Sequence, residues 1–346
     1  MHIVGEIDVP DQPAILCFGE VLLRLNPIGA EPLAHSERLQ LHVGGAEANV
    51  AGALATLGHH AAMVSVVPDQ PLGERAIRAL RAAGIDTQPV RRRPGRQGLY
   101  FLAPGASLRA SEILYDREGS SFACEDWAAL DWPGLLAGFD WLHVSGITPA
   151  LGPMLADATL TAMRAARAAG VRISYDGNYR PQLWGRWSDA PASTLEVLVA
   201  EADLFFGNHR DFGLLLGTQF SGEGPERRRE AAEAGFASFP NLRWIVSTAR
   251  QVDSVDQHRL RARIDTRNAA FVTEEHVIPG VVDRIGTGDA FAAGVLHGLM
   301  RGEDEQAAVR HGLALACLKH SAPGDMTLFD RAALEAFGEG GLDVRR

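Results

Sequence analysis

Short apolar runs alternate with longer stretches of helical period along most of the chain. Ile15–Phe18, Ala61–Val67, Trp141–Val144, Val171–Tyr175, Leu204–Phe206 and Trp244–Val246 read as strands. They are rich in branched and aromatic residues and too short for helices. Between them, Glu47–Leu57, Pro71–Ala83, Pro153–Ala169, Leu195–Ala202, Arg227–Phe239, Ala290–Met300 and Glu305–His320 carry apolar residues at helical spacing. Gly58, Gly84 and Gly170 follow three of these helices at the position where a chain leaving a helix turns left-handed. Strands that are apolar throughout, each followed by an amphipathic helix, predict a mainly parallel sheet covered on both faces. Such sheets bind ligands beyond the carboxyl ends of their strands.

Residues 20–43 and 90–117 break this rhythm with short strand-like pieces separated by Pro, Gly and polar residues, and predict a small sheet projecting from the main body. Residues 1–13 and 338–346 read as flexible tails, so that 1–346 is one domain with an inserted small sheet. A length of 346 residues is ample for a well-buried core.

Composition removes several classes of function. The formal net charge of −10 argues against a protein that coats nucleic acid or an anionic membrane. No apolar run approaches the ~20 residues of a membrane span. Cys17, Cys124 and Cys317 are far apart and form no disulfide framework, which fits a cytoplasmic protein. Of 33 basic residues only Lys319 is a lysine. The GxxxxGK[ST] phosphate loop is therefore absent, as is the strand lysine of protein kinases. His209–Gly213 reads HRDFG, two protein-kinase motifs run together, and without that lysine it is set aside as coincidence.

The strongest chemical signal is Asp283-Arg-Ile-Gly286-Thr287-Gly288-Asp289 ahead of a run of small residues. Gly286, Thr287 and Gly288 open a helix whose free N–H groups suit phosphoryl charge. Asp289 stands at the same turn, placed to take a proton from an attacking hydroxyl. An ordinary N-cap aspartate would read the same way. The second signal is Gly44-Gly45 with Asn49 one turn into the next helix, a pattern able to hold a polyhydroxylated ligand. The third is Asp176-Gly-Asn-Tyr-Arg180 at a strand's carboxyl end, where Arg180 offers a planar fork to an anion. The fourth is Tyr100 with Tyr115-Asp-Arg117, whose alternation puts Tyr115 and Arg117 on one face of the projecting sheet.

Taken in order, GEVLLRLNP, VGGAEANVAGALATLG and DRIGTGDAFAAG resemble the start and the two signatures of the ribokinase-like (PfkB) sugar kinases, over about residues 14–335. LHVSGITPAL, DGNYRPQLW, GLYFL and YDREGSS look most like the 2-keto-3-deoxygluconate kinases of that family. The resemblance implies a three-layer α/β/α sandwich with a small β-sheet lid, and ATP with Mg²⁺ as phosphoryl donor. It implies Asp289 as base and the Gly286–Asp289 amides as anion hole. Gly44, Gly45, Asn49, Tyr100, Tyr115, Arg117 and Arg180 would then hold the sugar acid, and Asn208, Asp211, Ser247, Thr248 and Gly288 the nucleotide. Some relatives hold a K⁺-type ion beside the anion hole, which places one near Asp283 and Ile285. The lid's open edge predicts a homo-oligomer.

The chain departs from the family at Asn208-x-x-Asp211, where a glutamate is usual, and at Ser247-Thr-Ala-Arg250, which lacks the usual glycine-rich turn. A ketodeoxy acid carries a carboxylate for arginines to hold, whereas fructose and ribose do not. Kinases of those sugars or of 2-keto-3-deoxygalactonate, and a sugar-acid binding protein without turnover, are the alternatives.

Overall fold

The structure, a computed structural model, describes residues 13–339. From the N-terminus the chain runs β1 (Ala14–Phe18), β2 (Leu22–Pro27), β3 (Leu39–Gly44), α1 (Ala46–Thr56), β4 (His60–Pro68), α2 (Pro71–Ala82), β5 (Val90–Arg93), β6 (Leu99–Ala103) and β7 (Glu112–Asp116). It continues through α3 (Trp132–Leu136), β8 (Trp141–Ser145), α4 (Pro153–Ala168), β9 (Arg172–Asp176), α5 (Pro181–Trp184), α6 (Pro191–Ala200), β10 (Leu204–Phe206), α7 (His209–Leu216) and α8 (Gly224–Ser238). It ends with β11 (Trp244–Ser254), β12 (Gln257–Asp265), β13 (Ala270–Val272), β14 (His276–Pro279), α9 (Thr287–Met300), α10 (Glu305–Lys319) and α11 (Arg331–Glu339).

The main sheet has the order β13-β12-β11-β10-β9-β8-β1-β4-β5, with β14 also pairing β12. From β5 to β11 every neighbour is parallel, and β12, β13 and β14 join antiparallel. The apolar strands are buried on both faces, as expected for parallel pairing under helices. In β1, Ile15 and Cys17 join the core under α1, α2, α9 and α10, while Leu16 and Phe18 join the core under α4, α6 and α8. This is the three-layer sandwich that the alternation of elements predicts. Helices α9 and α10 pack backbone to backbone: a Cβ on Gly298 would come within 2.6 Å of the Ala308 Cα. Among the described residues no helix is long and apolar enough to cross a membrane.

The projecting sheet has the order β3-β2-β6-β7 and is mixed, with β2 and β6 parallel. Residues 90–93, expected in it, instead form β5 and pair with β4 at the edge of the main sheet. Val90 and Arg91–Arg93 carry no apolar run that would mark a strand; backbone pairing with β4 forms it, and its residues stay half-buried or exposed. Strand β11 runs eight residues beyond Val246 and folds back as β12, a hairpin whose polar sequence gave no apolar run to find. Helix α7 occupies the HRDFG segment, held by a capping box between Asn208 and Asp211. Gly338 and Glu339, expected in a flexible tail, end α11; apart from Pro13, the rest of the expected tails lies outside the described residues.

Candidate active site

Two glycine turns far apart in sequence meet at one point. Gly286, with φ +78°, caps α9, and a Cβ there would lie 1.8 Å from the Asp325 carbonyl oxygen, so only glycine fits. Gly45, with φ +139°, starts α1, and a Cβ there would lie 2.2 Å from the Glu20 carbonyl oxygen. The first turn of α1 carries Asn49, whose Nδ2 donates to Asp289 Oδ2 at 2.6 Å across 240 residues. The backbone N–H groups of Gly288 and Asp289 have no partner among the described residues. They are free donors at the positive end of a 14-residue helix. Thr287 is buried and its hydroxyl is spent on the Arg284 carbonyl at 2.9 Å, so its side chain shapes the turn.

Asp289 faces a cavity of about 340 Å³ that the main sheet and the projecting sheet enclose together. Burial pushes the Asp289 carboxyl up to about 7; the Asn49 hydrogen bond opposes this, and the charges of Glu47 and Asp325 add to it. Asp176, at the end of β9, faces the same cavity and is likewise pushed up to about 7, by burial and then by the Asp289 charge. Glu47, fully buried behind them, accepts from the Ser145 amide at 3.0 Å and the Ser145 hydroxyl at 2.7 Å.

Gly45, Asn49, Tyr100, Tyr115, Arg117, Arg180, Gly286, Gly288 and Asp289 all line this cavity. Gly44 does not; it makes room for Asp325, whose Oδ2 would lie 2.3 Å from a Cβ at that position. The Tyr100 hydroxyl donates to Asp325, and its ring lies 5.9 Å from that of Tyr115. The two arginines differ. Arg117 is buried, and its Nε and Nη2 both donate to Glu20 Oε2, at 2.8 and 2.5 Å. Arg180 is exposed to the cavity, donates only to the Tyr179 carbonyl at 3.2 Å, and has no carboxylate within ion-pair distance among the described residues.

Glu20, Asp325, Arg250 and Arg284 also line the cavity and were given no role in the sequence. Glu20 follows the first strand, at the end where a parallel sheet binds ligands, and that signal was available. Asp325 sits in an irregular polar stretch with no local pattern. Arg250 and Arg284 make no ion pair among the described residues. Burial, and then the like charge of Arg284, pull the Arg250 guanidinium down from its usual range. Two unpaired guanidiniums held side by side form a site for a polyanion.

Arg250 also lines a second cavity of about 250 Å³, with Asn208, Ser247 and Thr248 on its wall. Its floor is the buried Arg263–Asp265 pair, joined by hydrogen bonds of 2.6 and 2.8 Å. Asp211 does not line it. Its Oδ2 turns back to accept the Asn208 amide at 2.7 Å, so this carboxylate serves the cap of α7. The Asp283 carboxylate is also engaged: it accepts from the Ile285 amide at 2.9 Å, the Gly324 amide at 3.1 Å and Arg24 Nη2 at 2.6 Å.

A carboxylate beside free helix-end amides, with unpaired guanidiniums on the same cavity, is equipment suited to phosphoryl transfer to an alcohol. Residues 12–331 match the pfkB family of carbohydrate kinases. The 2-dehydro-3-deoxygalactonokinase of Haloferax volcanii is 32% identical over 335 residues, covering 95% of this chain and 98% of that protein. The 2-dehydro-3-deoxygluconokinase of Bacillus subtilis is 30% identical over 82% of each chain. Among solved structures, the 2-dehydro-3-deoxygluconokinase of Thermotoga maritima superposes with a TM-score of 0.89 at 32% identity, over 95% of this chain and all of that one. The chain belongs to the pfkB family and is a carbohydrate kinase.

Proposed function

We propose that the protein transfers the γ-phosphoryl group of ATP to the terminal hydroxyl of a 2-keto-3-deoxy sugar acid, with 2-keto-3-deoxy-D-gluconate as substrate and its 6-phosphate as product. One observation carries the reading: Asp289 and the unpaired Arg180 guanidinium face the same cavity. A base and a carboxylate receptor at two sides of a space of about 340 Å³ suit a six-carbon acid with its alcohol at one end and its charge at the other.

Asn49 fixes the orientation of Asp289, which accepts the hydroxyl proton as that oxygen meets phosphorus. A carboxyl pushed up to about 7 is a stronger base than an ordinary aspartate and is still largely ionised slightly above neutrality. The Gly288 and Asp289 amides hold the negative charge on the group in transit. Asn208, Ser247 and Thr248, with Arg250 shared by the two cavities and Arg284 in the first, would hold the nucleotide's phosphates. ATP brings the phosphoryl group, and its Mg²⁺ neutralises phosphate charge. Arg117, locked to Glu20, lines the cavity from the lid side and gives it its shape.

A second reading has its own support. The Haloferax volcanii relative is named for the galactonate, which differs from the gluconate in configuration at one carbon, and it aligns over nearly the whole chain. The test is ADP release with 2-keto-3-deoxygluconate, 2-keto-3-deoxygalactonate, fructose and ribose. The reading requires both acids to exceed both neutral sugars in kcat/KM. Equal rates on fructose would end it, and a preference for the galactonate would replace the first substrate by its epimer.

A further inference from the structure

Behind the Gly286–Asp289 turn lie four charged side chains largely out of water. Arg24, fully buried on β2, donates from Nη2 to Asp283 Oδ2 at 2.6 Å, and its Nε stands 3.0 Å from Asp325 Oδ1. Lys319, the sole lysine of the chain, is also fully buried, at the end of α10, and its Nζ donates to the Ala322 carbonyl at 2.8 Å. Lys319 feels the charges of Asp283, Arg24, Asp325 and Asp289. Two cations thus face two carboxylates, and the cluster is formally neutral. Charges are kept out of water only when balanced in this way.

This is the place where a monovalent metal ion was expected, and the residues present do not fit one. Both oxygens of Asp283 are engaged, by the Ile285 amide, the Gly324 amide and Arg24. The His320 carbonyl accepts the amides of Val282 at 2.8 Å and Asp283 at 3.3 Å. The Ala322 carbonyl is taken by Lys319. A further cation would meet a carboxylate and two carbonyls that already accept hydrogen bonds, and beside Arg24 and Lys319 it would leave a surplus charge out of water.

We infer that Lys319, together with Arg24, is a built-in cation that positions the anion-binding turn, so that this kinase works without a monovalent metal ion. The mechanical link is short. Asp283 holds the Ile285 amide, one residue before Gly286, and the Asp325 carbonyl presses on Gly286 from the other side. With both carboxylates held by Arg24 and balanced by the Lys319 charge, the turn keeps the Gly288 and Asp289 amides aimed into the cavity. Lys319 acts through that turn, as a positioning residue.

The inference deepens the kinase reading and rests on it for its consequence in turnover. Thermal unfolding needs no substrate, so the two can fail separately. Full-length wild type and Lys319→Ala are melted, and assayed with whichever sugar is turned over, in the chlorides of potassium, ammonium and tetramethylammonium. Wild type is expected to show the same Tm and the same kcat in all three salts. Removing the ammonium leaves an excess negative charge and a space of its size, so Lys319→Ala is expected to lose stability and kcat. It should recover part of both in potassium or ammonium and not in tetramethylammonium, with a Tm gain on the order of several degrees as the ion binds the folded state. Stimulation of the wild type by potassium overturns the inference, as does a Lys319→Ala whose loss is identical in all three salts. Should Lys319→Ala not fold, Lys319→Gln is read in the same way, and the wild-type salt series decides alone.

Discussion

The two cavities that meet at Arg250 are built on opposite plans. On the proposed sugar side several polar groups are paired in advance: Asn49 holds Asp289, Asp325 accepts from Tyr100, and Glu20 holds Arg117. On the proposed nucleotide side Arg250, shared by both cavities, is unpaired above the neutralised Arg263–Asp265 pair, and Arg284 adds a second open charge from the first cavity. A neutral polyol must be recognised by donors and acceptors fixed in advance, because it brings no charge to organise them. A polyphosphate brings enough negative charge to complete a loose basic rim. Arg180 lies between these plans, an open guanidinium in the first cavity that a carboxylate would complete.

Asp289→Asn breaks the sugar side most. It keeps an oxygen for Asn49 but loses the base, and kcat should fall roughly 10²- to 10⁴-fold while sugar affinity persists. Near-normal turnover would remove Asp289 from its role. The same variant tests stability. The unfolded chain releases this proton near an ordinary aspartate value and the folded chain near 7, so between those values the folded state binds more protons and weakens as pH rises. Above pH 7 the whole penalty is present. Asp289→Asn removes it and should melt higher than wild type at pH 8, by a few degrees, with little difference at pH 4. In wild type, kcat/KM should fall on the acid side of about pH 7 as the base is protonated.

The next effect separates the two arginines. Arg117→Ala strands the buried Glu20 and should cost about 3–5 kcal/mol of stability, the usual result of removing half a buried pair. Arg180→Ala should leave Tm unchanged and weaken sugar acids far more than neutral sugars. Urea melts of both variants beside KM for one acid and one neutral sugar decide it; a destabilised Arg180→Ala, or equal losses on both sugars, would erase the distinction. On the nucleotide side, Arg250→Gln should raise KM for ATP on the order of tenfold, the share of a charge-assisted hydrogen bond, with KM for the sugar little changed. A shift confined to the sugar would move the phosphate site elsewhere.

What was legible in the sequence follows the same division. The parallel core was readable because both faces of each strand are buried, so a short apolar run announces it. The Gly45–Asn49 and Gly286–Asp289 turns were readable because backbone geometry demands glycine at fixed spacing from a polar side chain. Partners set by tertiary folding were not. Nothing local marks Asp325 as the acceptor of Tyr100, or Glu20 as the mate of Arg117, which reads from alternation alone as a free guanidinium. The β11–β12 hairpin escaped because its exposed face carries Arg and Asp where a buried strand would carry Val. HRDFG was correctly set aside as a kinase motif, yet the helix it forms was missed, since its signal was the Asn208/Asp211 capping pair and not an apolar period.

That capping pair gives the smallest effect and the finest test of the comparison. Asp211 could serve the nucleotide, as its place in an Asn-x-x-acid motif implies, or the helix, as its hydrogen bond to the Asn208 amide at 2.7 Å implies. The helix role predicts that Asp211→Ala costs about 0.5–2 kcal/mol, the range for a lost cap, and shifts Asn208 enough to raise KM for ATP modestly. Asp211→Glu keeps a carboxylate at the third position of a capping box and should retain the stability. Measured side by side, the two variants should differ in Tm more than in kcat. If Asp211→Ala instead keeps its Tm and loses kcat by orders of magnitude, the carboxylate works on the phosphates, and the nucleotide side is more preorganised than its open rim suggests.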